Sequence, residues 1–381
     1  MHDMVDLVTS EPPPLRHSVD EIVRQGERVQ RRRRAGWAAS GAAAVAVLGV
    51  TAAVAIASST GTTPAVVAAS PAATDEAPLA PLVAFPNPAP PFAFTFAGYR
   101  VGGLRVADPI DVSTAYQIAP VYDDTLPTND KPLSPSEAAE AARNHKASPS
   151  LYAYLTVFRP GAYDPSKLSN PQQVSIGGRP GLQVLSPGFG GLTTLAWQYD
   201  PGTPTAWAVL TASSSDAKHP SPTELQKLAA GLRGSTPKPA KLPVKLTYVP
   251  AGYRANEVAV HAMAGLNGIA AAREGDYAGI MFSNPALPTT GLTEPYGGVD
   301  GNDPPGSFQL FVVPSQNSNQ TASPGITCLN GFCNRWSAGV NLQVASGGRL
   351  SNTEMTKILN GIQLANVHDE STWTAATVAI P

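Results

Sequence analysis

The chain has only two cysteines, and their spacing suits a bond between neighbouring strands. Cys328 and Cys333 flank Leu329-Asn330-Gly331-Phe332, and Asn-Gly favours a two-residue hairpin turn. Such a turn places the cysteines opposite each other in a non-hydrogen-bonded pair, where side chains approach most closely. We therefore predict a structural disulfide, which implies an oxidising compartment. A redox-active pair is the alternative, although the cysteines lack C-x-x-C spacing and a helix N-terminus that would lower a thiol pKa.

The sequence contains no pattern typical of an enzyme active site. The six histidines are scattered and form no H-E-x-x-H motif, and G-x-S-x-G, P-loop and G-x-G-x-x-G motifs are absent. Asp300-Gly301-Asn302-Asp303 partly matches a calcium loop, but Pro304 breaks the alternation of oxygen ligands, so an ordinary turn is favoured. We therefore expect no catalytic residue, no metal site and no cofactor.

Three tryptophans are candidates for stacking against carbohydrate. Trp197 and Trp207 lie in adjacent predicted strands, and Trp336 lies in a later one. Aromatic side chains in neighbouring strands more commonly pack in a core. We therefore favour core packing over a carbohydrate platform.

Overall composition favours short strands and loops. Pro (38) and Gly (34) are abundant, whereas only 14% of residues are charged, well below the usual fraction of about 25%. The net charge of −2 gives no field that attracts nucleic acid, so nucleic acid is not an expected partner. A length of 381 residues allows two domains or more.

Two short helices are predicted from their periodicity. Each begins with a capping box, Ser221 to Glu224 in one and Ser351 to Glu354 in the other. Their apolar residues recur at i, i+3, i+4 and i+7, which makes one apolar face. These residues are Leu225, Leu228, Ala229 and Leu232, and then Met355, Ile358, Leu359 and Ile362. A further capping box at Ser134 to Glu137 predicts another helix.

Runs of β-branched and aromatic residues predict strands between these helices. The runs cover residues 151–158, 183–185, 193–199 and 206–212, and then 277–282, 308–313, 326–329, 332–337 and 340–344.

Three landmarks recur in the same order, which indicates an internal duplication. Gly98-Tyr99-Arg100 recurs as Gly252-Tyr253-Arg254, residues 155–160 match residues 309–314, and the two capped helices correspond. We expect an α+β fold in which repeat 1 (92–236) and repeat 2 (237–373) are each a mostly antiparallel sheet closed by a C-terminal helix. Residues 374–381 would form a tail.

The N-terminal region predicts a membrane topology. Arg31, Arg32, Arg33 and Arg34 precede an uncharged apolar run from Gly36 to Ala57. This pattern predicts a single transmembrane helix over residues 35–57 in the lipid bilayer, with the arginines orienting the N-terminus toward the cytoplasm. A signal peptide cleaved after residue 57, a twin-arginine export signal and a soluble helix are the alternatives.

Two further segments flank the predicted span. Residues 1–34 would be a cytoplasmic segment, whose short amphipathic helix begins at the S-x-x-E motif of residues 18–21. It would lie near the bilayer or dock a cytoplasmic regulator. Residues 58–91 are rich in Ala and Pro and are expected to form a disordered, extended linker.

Parts of the chain resemble known families. Residues 12–23, the arginine block and the Ala/Val/Gly span are similar to uncharacterised actinobacterial single-pass membrane proteins. Residues 176–181, Leu195-Ala196-Trp197 and the closing helix resemble extracytoplasmic domains of anti-sigma-factor-associated membrane proteins. The sheet-plus-helix plan is also similar to periplasmic lipoprotein-carrier and sigma-regulator folds. The resemblance implies no activity, and residues 1–34 lack the zinc-binding His/Cys set of a complete anti-sigma domain.

These patterns together favour a non-enzymatic, membrane-anchored protein that binds or senses a cell-envelope ligand outside the cytoplasm. The groove between the two repeats is the expected ligand site. A transmembrane signalling component that uses residues 1–34 is one alternative, and a cell-envelope enzyme is the other.

Overall fold

Antiparallel β-sheet makes up most of the regular structure in the computed structural model. The structure describes residues 84–125, 151–186, 192–202, 204–212, 221–261, 276–297, 303–315, 318 and 321–381.

The strands fall into two series along the chain. The first series is β1 (Ala93–Phe94), β2 (Tyr99–Val101), β3 (Leu104–Val106), β4 (Asp111–Ser113), β5 (Tyr116–Asp123), β6 (Leu151–Phe158), β7 (Gln172–Ile176), β8 (Arg179–Ser186), β9 (Leu192–Asp200) and β10 (Ala206–Ala212). The second series is β11 (Lys238–Pro239), β12 (Lys241–Leu242), β13 (Val244–Leu246), β14 (Arg254–Val260), β15 (Ala278–Ser283), β16 (Ser307–Pro314), β17 (Ile326–Leu329), β18 (Phe332–Ser337), β19 (Val340–Ala345), β20 (Ile362–Leu364) and β21 (Thr374–Ala375).

The described residues contain three α-helices, α1 (Pro222–Ala230), α2 (Asn352–Asn360) and α3 (Ala376–Ala379). Ser221 and Ser351 cap the first two, and each side chain accepts a hydrogen bond from the backbone N–H three residues later, at 3.2 Å. In each helix the predicted apolar face is buried on the sheet.

One sheet of 15 strands joins both series. Its main path runs β17-β18-β19-β16-β15-β14-β4-β5-β6-β10-β9-β8-β7, with β3 also on β5 and β2 on β3. Outward from the β4–β14 junction, β5-β6-β10-β9-β8 on one side mirrors β15-β16-β19-β18-β17 on the other. The matched segments 155–160 and 309–314 lie largely in β6 and β16. Each of these is the second strand outward from the junction on its side. The repeat boundaries at 92–236 and 237–373 stay a prediction.

The two faces of this sheet are covered differently, because side chains alternate along each strand. One face, called the helix face here, carries two apolar clusters that pack against α1 and α2 respectively. The opposite face carries an aromatic cluster that draws on both series of strands, including Tyr116, Phe158, Met281 and Tyr296.

Two loops on the opposite face are also hydrogen-bonded to each other. The backbone N–H of Asp164 donates to the Leu292 carbonyl at 2.8 Å, and the N–H of Leu292 donates to the Ala162 carbonyl at 2.9 Å. The Lys167 ammonium donates to the Gly291 carbonyl at 2.7 Å. These bonds connect the loop after β6 with the loop after β15.

The expected fold class is wrong. The chain is mostly antiparallel sheet with few helices, and the two closing helices have nine residues each, so an α+β assignment does not describe it. Among the described residues, no helix combines the length and apolar character that a bilayer span requires. The predicted transmembrane helix, residues 35–57, lies outside the described residues.

Several other predicted features also lie outside the described residues. They are Arg31–Arg34, the segment 1–34, most of the linker 58–91, the helix expected from Ser134 and residues 300–302 of the calcium-like turn. At the other end, residues 374–381 are not a separate tail, because β21 pairs with β12 and Ala376 and Ala379 are buried.

Candidate functional site

The end of the predicted linker lies on the surface of the folded domain. Residues 84–91, called the proline segment here, run across the helix face beside the β4–β14 junction. Phe85, Pro86 and Ala89 are half-buried and the other five residues are exposed. The chain bends between Pro86 and Ala89, where the Asn87–Pro88 peptide bond is cis.

Arg159 holds this segment by its backbone. It follows β6, and its own N–H donates to the Ala115 carbonyl at 2.8 Å. The guanidinium donates to the carbonyls of Ala89 at 2.9 Å and Pro90 at 3.1 Å, and more weakly to that of Ser113 at 3.4 Å. Burial lowers the pKa of Arg159, and nearby Tyr199 raises it; the side chain stays cationic. The rigid, planar guanidinium therefore donates to two consecutive backbone carbonyls.

Tyr199 supplies the aromatic wall of the same site. Its hydroxyl donates to the Phe158 carbonyl at 2.7 Å, and its ring centroid lies 4.4 Å from that of Phe85. Burial, and then the charge of Asp200, raise the pKa of Tyr199, while Arg159 lowers it. The phenol is therefore neutral at physiological pH, and its ring packs against Phe85 at an interplanar angle of 51°.

The floor of the site completes a groove that the segment fills. We define the Arg159 groove as the surface formed by Thr95, Val112, Gln117, Val157, Arg159 and Tyr199. The Thr95 N–H donates to the Gln117 side-chain carbonyl at 2.9 Å, which fixes the floor. A space of about 10 Å³ remains beneath the segment, room for roughly one water molecule.

The cysteine hairpin lies at one edge of the sheet. Cys328 pairs with Cys333 across β17 and β18, with a Cα–Cα distance of 4.1 Å, and the two form a disulfide. Asn330 and Gly331 have φ values of 51° and 80°, the left-handed conformations that a type I′ turn requires. At the tip, Leu329 is 73% and Phe332 is 42% exposed.

Two acidic residues that the sequence analysis missed are fully buried at the β4–β14 junction. Asp111 and Glu257 lie on the face opposite the helices, and their exposure is 0%. Burial, and then the charges of Glu257 and Asp111, raise the pKa of neighbouring Tyr116 well above its usual value. Because neither carboxylate reaches the surface, a substrate in solution has no direct access to them. No signal in the sequence marked them, because neither β4 nor β14 was predicted as a strand.

The tryptophans do not form a platform. Trp197 packs in the cluster under α1 and Trp207 in the aromatic cluster on the other face, so their rings point away from each other. Trp336 is half-buried in β18.

The described histidines make separate contacts near the C-terminus. The Nε2 atom of His261 lies 2.8 Å from a carboxylate oxygen of Glu370, and its ring lies 5.5 Å from that of Trp373. His368 meets Tyr277 edge to face at 5.9 Å. Among the described residues, no group of three or more ligating side chains is placed to hold a metal ion.

The solved structures to which the chain is weakly similar include two complexes that contain MucB. The chain is similar to MucB in its crystal structure with MucA(peri), at 10% identity and a TM-score of 0.19, over 72% of this chain and 93% of that one. It is also similar to a chain of the Pseudomonas aeruginosa MucA/MucB complex, at 10% identity and a TM-score of 0.17, with the same coverage. Scores this low do not establish a shared fold. No family model matches the chain, and no curated protein matches it.

Proposed function

We propose that the protein is non-enzymatic and works outside the cytoplasm by binding a proline-containing segment of a partner protein in the Arg159 groove. The observation that carries this proposal is the bonding of one guanidinium to two consecutive carbonyls of the proline segment. Domains that bind proline-rich segments also use grooves lined by aromatic side chains, as Tyr199 lines this one.

The chemistry of the groove favours binding over catalysis. Arg159 donates only to neutral carbonyls, and Tyr199 is a neutral phenol whose hydroxyl is already bonded. Neither side chain is poised to accept a proton or to attack a substrate. A binding site of this kind suits a sensing protein and a transmembrane signalling component equally well.

The disulfide supports a location outside the cytoplasm. Disulfides persist in oxidising compartments and are rare in the cytosol. The bond between Cys328 and Cys333 lies at the sheet edge, away from the Arg159 groove, so it stabilises the hairpin without taking part in binding.

The groove is testable with a peptide of the chain's own sequence. The probe is the eight-residue peptide of residues 84–91, added to isotopically labelled full-length protein whose tethered segment is weakened by Phe85→Ala. Titration to millimolar concentration is followed through the Nε–H signal of Arg159 by NMR. We expect a saturable shift of that signal, because the free peptide carries the Phe85 ring that the variant lacks.

Two further variants locate the binding site. Adding Arg159→Ala to Phe85→Ala should abolish saturable shifts of the Tyr199 amide signal, whereas adding Arg254→Ala at an exposed position should preserve them. Equal binding by both double variants, or none by the Phe85→Ala protein, would contradict the proposed function.

A further inference from the structure

We infer that residues 84–91 are a built-in competitor, which occupies the Arg159 groove and must leave before a partner segment binds there. This inference rests on the proposed function and adds its regulation. The groove is thus closed by the chain itself in the structure, and its availability depends on the equilibrium between docked and released proline segment.

The segment is fixed firmly at its C-terminal end. Phe92 and Ala93, which follow it directly, are buried at 9% and 2% exposure. Strand β1 pairs with β11, and the Ala240 N–H donates to the Phe92 carbonyl at 2.9 Å. Release of the segment therefore leaves it tethered close to the groove.

The proline segment itself is much less buried than the residues that follow it. None of the eight residues is fully buried, and five of them are exposed. The attachments described above are the Phe85 ring against Tyr199 and the two carbonyls bonded to Arg159. A segment with few buried contacts opens at low cost in free energy, without unfolding the core. Release is therefore a local event.

Tethering nevertheless gives the segment a large advantage over a free competitor. A short flexible tether produces an effective concentration on the order of millimolar. The apparent affinity for a free segment falls in proportion to the fraction of time that the groove is empty. A partner must therefore offer a better fit than the proline segment, or act when the segment has been pulled away.

The groove also limits the kind of partner that fits. Arg159 only donates, so the partner must present two backbone carbonyls to it, as Ala89 and Pro90 do. The Phe85 ring contact and the half-burial of Pro86 and Ala89 call for an aromatic residue followed directly by proline and then by a small residue. We therefore expect a proline-containing segment with an aromatic residue at its N-terminal side.

Weakening the tethered copy should strengthen binding of the free one. Half-burial of a phenyl ring is worth about 1.4 kcal/mol, which corresponds to roughly tenfold. We expect the peptide of residues 84–91 to bind the Phe85→Ala protein about tenfold more tightly than the unaltered protein. Phe332→Ala is the matched control, because it removes a partly exposed ring at the distant hairpin tip, and it should leave the affinity unchanged.

The possible results distinguish competition by the proline segment from peptide binding by the groove itself. If the unaltered and Phe85→Ala proteins bind the peptide equally, the groove binds peptides but the proline segment does not compete, and the inference fails. If neither protein binds it, the proposed function fails as well. A second variant, Pro86→Gly, loosens the segment without altering the ring contact with Tyr199, and it should raise the peptide affinity in the same direction.

Discussion

Tyr116 shows how one side chain can connect distant parts of the chain. It lies in β5, and its hydroxyl accepts a hydrogen bond from the buried Tyr296 N–H at 2.8 Å. The two rings also contact each other, with centroids 5.2 Å apart. The loop that contains Tyr296 is thereby attached to the opposite series of strands.

Removing this hydroxyl should destabilise the protein. Tyr116→Phe keeps the ring but leaves the Tyr296 N–H without its acceptor, so we expect a loss of about 1–3 kcal/mol in the free energy of unfolding. Urea denaturation measures it. Tyr253→Phe is the control, since that hydroxyl has no hydrogen-bond partner among the described residues, and it should change stability by less than about 0.5 kcal/mol. Equal stability of the two variants would show that Tyr116 acts through its ring alone.

At the residue scale, local chemistry was predictable and long-range pairing was not. The disulfide hairpin followed from Asn330-Gly331, because the turn type fixes which residues face each other. Arg159 carried no such signal, since its partners Ala89 and Pro90 are about 70 residues away in sequence. Their proximity depends on strand order, which the residues near Arg159 do not encode.

The two closing helices differ at their first turns, although their sequences match. In α1, the Glu224 carboxylate accepts from the Ser221 N–H at 3.2 Å and completes the capping box. In α2, Glu354 instead accepts from the Tyr248 hydroxyl and from the Lys357 ammonium at 3.0 Å. The second helix therefore uses the equivalent carboxylate to bind the segment after β13.

This contact makes the stability contributed by α2 sensitive to acid. The hydrogen bond from Tyr248, and then that from Lys357, lower the pKa of Glu354. A carboxyl group with a lowered folded-state pKa stabilises the fold above its unfolded pKa of about 4.3. That contribution is lost as pH falls through the folded-state pKa.

Glu354→Gln should remove this contribution. We expect the variant to be less stable than the unaltered protein at pH 7, with the difference shrinking as the pH is lowered below about 4. Urea midpoints measured from pH 7 down to pH 2.5 provide the comparison. A difference that stays constant over this range would mean that the ionised carboxylate does not stabilise α2.

At the element scale, several strands were predicted from their apolar residues, whereas β5 and β14 at the centre of the sheet were not. The strand predicted at 206–212 matches β10, and that at 308–313 lies within β16. Strand β4 was missed because it has three residues, two of them polar. The docking of the proline segment was missed because its composition is typical of linkers and its contacts are supplied by distant strands.

At the scale of the whole molecule, the two predicted repeats share one sheet. Strands β4 and β14 pair in register, with Val112 opposite Val258. Val112 belongs to the apolar cluster packed against α2, although it lies in the first series of strands. The sequence indicated two sheets because each series has its own apolar pattern and helix. Periodicity does not reveal which strand edges pair, so their fusion was not predictable.

A shared sheet predicts that both halves unfold together. Leu228 in α1 and Leu359 in α2 are both fully buried, and truncating either to Ala should cost about 2–5 kcal/mol. In differential scanning calorimetry we expect one transition, which moves to lower temperature in both variants, because the β4–β14 pair and the aromatic cluster connect the halves. Separate halves would behave differently, since each substitution would shift one of two transitions and leave the other in place. Hydrogen exchange in β9 and β18 provides an independent readout, since Leu228→Ala should then accelerate exchange in both strands.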